Sequence, residues 1–151
     1  MKKILIAALM SLTLFACKKD SPAPTPVDER DKFVGNWTGS GFFKVPDLQI
    51  DEYLTGYNII VAKNTSIANK LAIFDSQRTL SASVGGTTYN YESYTQPFTD
   101  ATTGETFSLA FSGNGTISSD GRTITESGTI IATDASGITY NGSWGSLVTK
   151  Q

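Results

Sequence analysis

Few side chains in this sequence can carry covalent chemistry. Histidine is absent from all 151 residues, which removes the commonest general base and the commonest transition-metal ligand together. The single cysteine, Cys17, follows an apolar leader, so the folded part has neither a disulfide nor a cysteine nucleophile. A Ser-His-Asp triad cannot be assembled, and no Ser-Lys motif surrounds Lys63 or Lys70. Carboxylates remain. Asp51-Glu52 and Glu126 are the groups a glycoside hydrolase would use, and Asp47, Asp51 and Glu52 are oxygen donors without the fixed loop spacing of a calcium site. The simpler reading makes Asp51-Glu52 a solvated strand end and Glu126 a rim residue. Gly113-Asn114-Gly115 is followed by neither a lysine nor a helix and is no phosphate loop. These residues point to a protein that binds rather than catalyses, with no cofactor and no metal.

The aromatic set is the stronger lead. Tyr57, Tyr89, Tyr91, Phe107, Phe111, Tyr140 and Trp144 share the apolar face of the runs described below, so they are the candidate ligand-binding residues. The same rings could simply fill a core. An eight-stranded barrel is wide enough for either outcome.

Strands must position them. From Gly35 the odd positions Trp37, Gly39, Gly41, Phe43 and Val45 alternate with polar residues, which predicts a strand with one buried face. Further runs are expected at 53–62, with Tyr53, Tyr57, Ile59 and Val61 on one side, and at 67–74. Leu80, Ala82 and Val84 lead through a tight turn at Gly85-Gly86 to Tyr89 and Tyr91. A polar connection is expected from Gln96 to Gly104. Runs at 107–117, 124–132 and 138–148 complete the set, with Glu126 the one charge on its face. Eight antiparallel runs without helices predict an all-β, eight-stranded up-and-down barrel, with a two-sheet sandwich as the alternative. Alternation leaves open whether the apolar face points in or out. The fourth and fifth runs are shorter than the roughly 9–11 residues a membrane-spanning strand needs.

The first 32 residues read as delivery. Lys2-Lys3 and the apolar run Ile4–Phe15 predict a signal peptide over 1–16. Leu14-Phe15-Ala16-Cys17 resembles the lipobox of bacterial lipoproteins. That resemblance implies cleavage before Cys17, a diacylglyceryl thioether on its sulfur, acylation of the new amino group, and attachment to the outer membrane, with the periplasmic or surface face left open. Several acyl chains suffice for stable anchoring. Residues 17–32 read as a proline-rich tether and 33–151 as one domain. With 12 basic and 14 acidic residues, the chain has no electrostatic footprint for nucleic acid.

Phe33-Val34-Gly35-Asn36-Trp37 resembles the F-x-G-x-W opening of calycin barrels, lipocalins among them, and Asn141-Gly142-Ser143-Trp144-Gly145-Ser146-Leu147 is similar to the last strand of small lipocalin-like lipoproteins from Bacteroidetes. The resemblance implies that Trp37 closes the barrel floor and that Gly35 lets the chain turn beneath it. Lipocalins usually stack a late arginine on that tryptophan. Here the last arginine is Arg122, and only Lys150 follows. The helices that fatty-acid-binding proteins insert after the first strand do not fit between Lys44 and Tyr53. The expected function is a lipid-anchored, monomeric envelope barrel that binds a small apolar or amphipathic ligand. The alternative is an interaction module that holds an envelope protein or glycan on its outer surface.

Overall fold

The computed structural model describes residues 26–151 except Ser76. The expected signal peptide and Cys17 lie outside the described residues. The strands are β1 (Gly35–Val45), β2 (Ile50–Lys63), β3 (Lys70–Phe74), β4 (Thr79–Gly85), β5 (Thr88–Tyr91), β6 (Tyr94–Thr99), β7 (Thr106–Ile117), β8 (Thr123–Thr133) and β9 (Thr139–Lys150). All pair antiparallel, in the order β5-β4-β3-β2-β1-β9-β8-β7-β6. Pairing of Thr88–Asn90 in β5 with Asn114–Thr116 in β7 closes the sheet.

β5 and β6 together make one wall strand. Both lie on β7, and between them residues 91–93 face only 112–113, which is a bulge. The result is a closed barrel of eight strands, not a sandwich. Its apolar face points inward: Ile124, Ile130 and Ala132 of β8 are buried, while Thr125, Ser127 and Thr129 between them are exposed.

Two expectations fail for local reasons. Gly39 faces Tyr57 and Ser40 faces Thr55, so Gly56, at φ 67°, is an extra residue that reverses the inward parity of β2. Tyr57, Ile59 and Val61 stay inside, but Tyr53 turns outward, 65% exposed, where its hydroxyl accepts a bond from Lys44 Nζ at 2.7 Å. The polar connection expected from Gln96 to Gly104 is strand β6 as far as Thr99, and only the stretch from Asp100 onward is a turn. Smaller shifts occur elsewhere. β3 starts at Lys70 because the Asn64 side chain caps a turn through the backbone N–H groups of Ser66 and Ile67. The β4–β5 turn has Gly86-Thr87 at its centre, with only Gly86 at positive φ (58°).

The barrel has two packed ends. One gathers Phe33, Trp37, Ile59, Leu71, Ile124 and Val148, and the other Val45, Ile50, Phe107, Leu109 and Ile130. Trp37 is fully buried and its indole N–H donates to the Phe33 carbonyl at 2.9 Å. Lys150 Nζ lies 5.2 Å from the centre of the Trp37 ring. Gly35 runs beneath at φ 145°, and a Cβ there would lie 2.9 Å from Lys150 Cε.

The folded part begins before Phe33. Arg30 holds Asp28 in a salt bridge of 2.7 Å and donates to the Asn64 carbonyl, Lys63 pairs with Asp28 and Asp31, and Glu29 accepts the Gly86 N–H at 2.8 Å. Residues 28–32, read from sequence as the end of a tether, are therefore docked on the barrel floor.

Candidate functional site

The sequence places a carboxylate on the inner wall at Glu126, and the fold buries it to 2% exposure. This corrects its reading as a rim residue. β8 carries Glu126 between Gly115 of β7 and Ser146 of β9, and β5, on the other side of β7, brings two tyrosines to it along the inner wall. Glu126 Oε1 accepts the Tyr89 hydroxyl at 2.5 Å and the Tyr91 hydroxyl, and Oε2 accepts Ser146 Oγ. Three hydroxyls thus converge on the two oxygens of one carboxyl group, which has lone pairs enough to accept from all of them. Burial first, and then the Glu126 charge, raise Tyr89 and Tyr91 well above the ordinary phenol range, so both stay protonated and keep donating.

Glycines make room for the rings. A Cβ at Gly115 would lie 2.7 Å from Tyr89 Cε2, and one at Gly113 would lie 2.7 Å from Trp144 Cζ2. Tyr89 and Trp144 therefore lie flat against the wall, with the Trp144 indole N–H donating to the Ser112 carbonyl at 3.0 Å. The space left between the two packed ends is a cavity of about 420 Å³. Tyr57, Tyr91, Tyr94, Phe111, Trp144 and Ser146 line its interior.

The cavity opens through a gap in the wall. β3 pairs β2 only over Ile60–Lys63, and β6 pairs only with β7, so among the described residues the rest of β2 and the outer edge of β6 have no strand between them. The loop carrying Asp75 and Arg78 stands at this opening. Arg78 Nε bonds Asp75 Oδ2 at 2.8 Å, Nη1 donates to Gln96 Oε1, and the guanidinium lies 4.8 Å over the Tyr94 ring. Tyr94 stacks on Phe111 with ring centres 5.0 Å apart. Burial pushes the Tyr94 hydroxyl up to about 12 and raises Tyr57 further.

Of the seven aromatic candidates, Tyr57, Tyr91, Phe111 and Trp144 meet at the cavity. Tyr89 sits behind it on Glu126. Phe107 and Tyr140 pack edge to face at 6.3 Å in the far end and do not line it. Sequence reasoning missed Tyr94, Gln96 and Arg78. The alternation Tyr94-x-Gln96-x-Phe98 was the available signal, masked by Pro97 and by the switch of parity at the bulge. Asp51 is engaged by Lys44 at 3.2 Å. Among the described residues no group of three or more His, Cys, Asp or Glu is gathered as a metal would require.

The sequence matches no family model and no curated protein. It is similar to a solved structure from Nostoc punctiforme, a protein of unknown function of the DUF3598 family, at 14% identity and a TM-score of 0.40. The likeness covers 84% of this chain and 53% of that one, so the chain spans about half the length of that protein.

Proposed function

We propose that this protein is a lipid-anchored, lipocalin-like barrel of the bacterial outer membrane that holds a small apolar or amphipathic ligand without transforming it. The observation that carries the reading is the cavity. Its volume of about 420 Å³ falls within the range of small-molecule sites, and its aromatic wall with a few polar groups at the opening is their usual composition. The Lys150 amine over Trp37 supports the lipocalin-like assignment, since it supplies the cation that the absence of a late arginine had left unfilled. The leader and its lipobox support the anchor.

Native mass spectrometry of the chain from Val27 onward, after exposure to an envelope extract, tests the carrier role. A discrete added mass that is lost on Tyr94→Ala or Trp144→Ala is expected. An apo mass under all conditions would sink it. Incorporation of labelled palmitate, abolished by Cys17→Ser, tests the anchor.

One observation favours a second reading as an interaction module. Ile60 and Phe74 pair across β2 and β3 on the outer face, 53% and 39% exposed, beside the stretch of β2 that pairs with β1 alone. Pull-down of an envelope partner that is lost on Ile60→Asp, together with a clean apo mass, would favour that reading over the carrier.

A further inference from the structure

Behind the cavity wall lies a carboxyl group, Glu126, that no cation in the described structure faces. Glu126 is buried, its three partners are neutral hydroxyls, and among the described residues no lysine or arginine forms an ion pair with it. Removing a carboxylate from water is expensive unless a counter-charge is near. Two of its partners, Tyr91 and Ser146, also line the cavity, so the carboxyl group lies one hydroxyl away from it. The two other charged groups at the cavity, Asp75 and Arg78, are paired with each other.

The same space is walled by Tyr57, Tyr91, Tyr94 and Trp144. Aromatic faces attract cations, most strongly where water is excluded. One face already does so here, since the Arg78 guanidinium lies over Tyr94 at the opening. An anionic head group would meet the Glu126 charge and would find no free cation among the described lining residues. A neutral one would leave that charge unbalanced.

Building on the carrier reading, we propose that the ligand carries a positively charged nitrogen, an amine or a quaternary ammonium. The nitrogen sits among the Tyr57, Tyr91 and Trp144 rings with Glu126 behind the Tyr91 and Ser146 hydroxyls. Any apolar portion extends toward the gap between β2 and β6.

The test uses two molecules of one shape and different charge, benzyltrimethylammonium and its carbon isostere neopentylbenzene, with phenylacetate as the anion. Binding to the full chain is read by calorimetry and by tryptophan fluorescence. The ammonium is expected to bind about tenfold tighter than the isostere, with phenylacetate weakest and the gap closing in Glu126→Gln. A second variant avoids the buried network: Tyr57→Leu should weaken the ammonium at least about fivefold while changing the isostere less than about twofold. Equal binding of ammonium and isostere, a gap unchanged in both variants, or tightest binding of phenylacetate would overturn the cationic ligand and leave the carrier standing. Binding of none of the three would overturn the cationic ligand, and together with an apo mass after exposure to envelope extract it would overturn the carrier reading itself.

Discussion

The hydroxyl of Tyr89 offers a direct measure of what the Glu126 network contributes. Tyr89 is fully buried and donates to Glu126 Oε1 at 2.5 Å. Tyr89→Phe removes that donor and nothing else of size. A hydrogen bond to a charged group is worth about 1.5–3 kcal/mol. At about 4 °C per kcal/mol for a domain of this size, the unfolding midpoint should fall by about 6–12 °C. In a Glu126→Gln background the acceptor is neutral, and the same substitution should cost only about 0.5–1.5 kcal/mol. The assay is thermal and urea unfolding of the four proteins of the cycle at pH 7, with near-ultraviolet dichroism confirming that each keeps its packed aromatic core. A coupling of about 1 kcal/mol or more is expected between the two sites. A loss below about 0.5 kcal/mol in the native background, or equal losses in both, would refute the assignment of Glu126 as a charged acceptor buried by design.

Two further outcomes follow from the same wall. Gly115→Ala places a methyl group against the Tyr89 ring and should destabilise by about 1–3 kcal/mol; in a Tyr89→Ala background, where the ring is gone, the same substitution should cost less, as thermal melts of the single and double variants would show. Tyr57, Tyr89 and Tyr91 have folded values raised above the ordinary phenol value of 10.0. Their protonated forms therefore contribute stability that is complete below pH 10 and is lost as pH rises toward the folded values. Absorbance titration at 295 nm should show fewer phenolates at pH 11 in the native protein than in denaturant, with the missing ones appearing together at alkaline unfolding. Independent, early ionisation of all six tyrosines would contradict the burial.

Much of the barrel was legible because its strands obey the period-two rule without interruption. Phe107 through Ile117 and Ile124 through Ala132 hold one inward parity from end to end, and Glu126 was placed on the correct face. The errors fall where a single extra residue breaks that period. Gly56 reverses β2, so Tyr53 is outside and Leu54 reaches the cavity. The bulge after Tyr91 moves the inward set from odd to even positions, so Tyr94 fell out of step with Tyr89 and Tyr91. Local periodicity cannot report such slips, because they are decided by the opposing strand. Burial of Glu126 was also beyond the sequence. A charge on an apolar strand is usually near an end, and only the arrival of Tyr89 and Tyr91 from β5 shows that this one lies deep. The docking of Asp28–Lys32 depends likewise on acceptors at Asn64 and Lys70 that are distant in the chain.

The position of β9 has a kinetic consequence. It is bonded along its length to β8 on one side and to β1 on the other, with Trp37 opposite Lys150. Strands β1 to β8 can form by successive local hairpins, but the ring is joined only when the last strand meets the first across more than a hundred residues of chain. Such distant contacts must overcome the entropy of a long loop before they return any stability. Folding should therefore proceed as a quick assembly of an open ribbon followed by a slow joining step. Until that step the edges of β1 and β9 and the inner faces of the aromatic wall are open to other chains, and in a nascent polypeptide lacking its last dozen residues the edges of β1 and β8 have nothing to cover them.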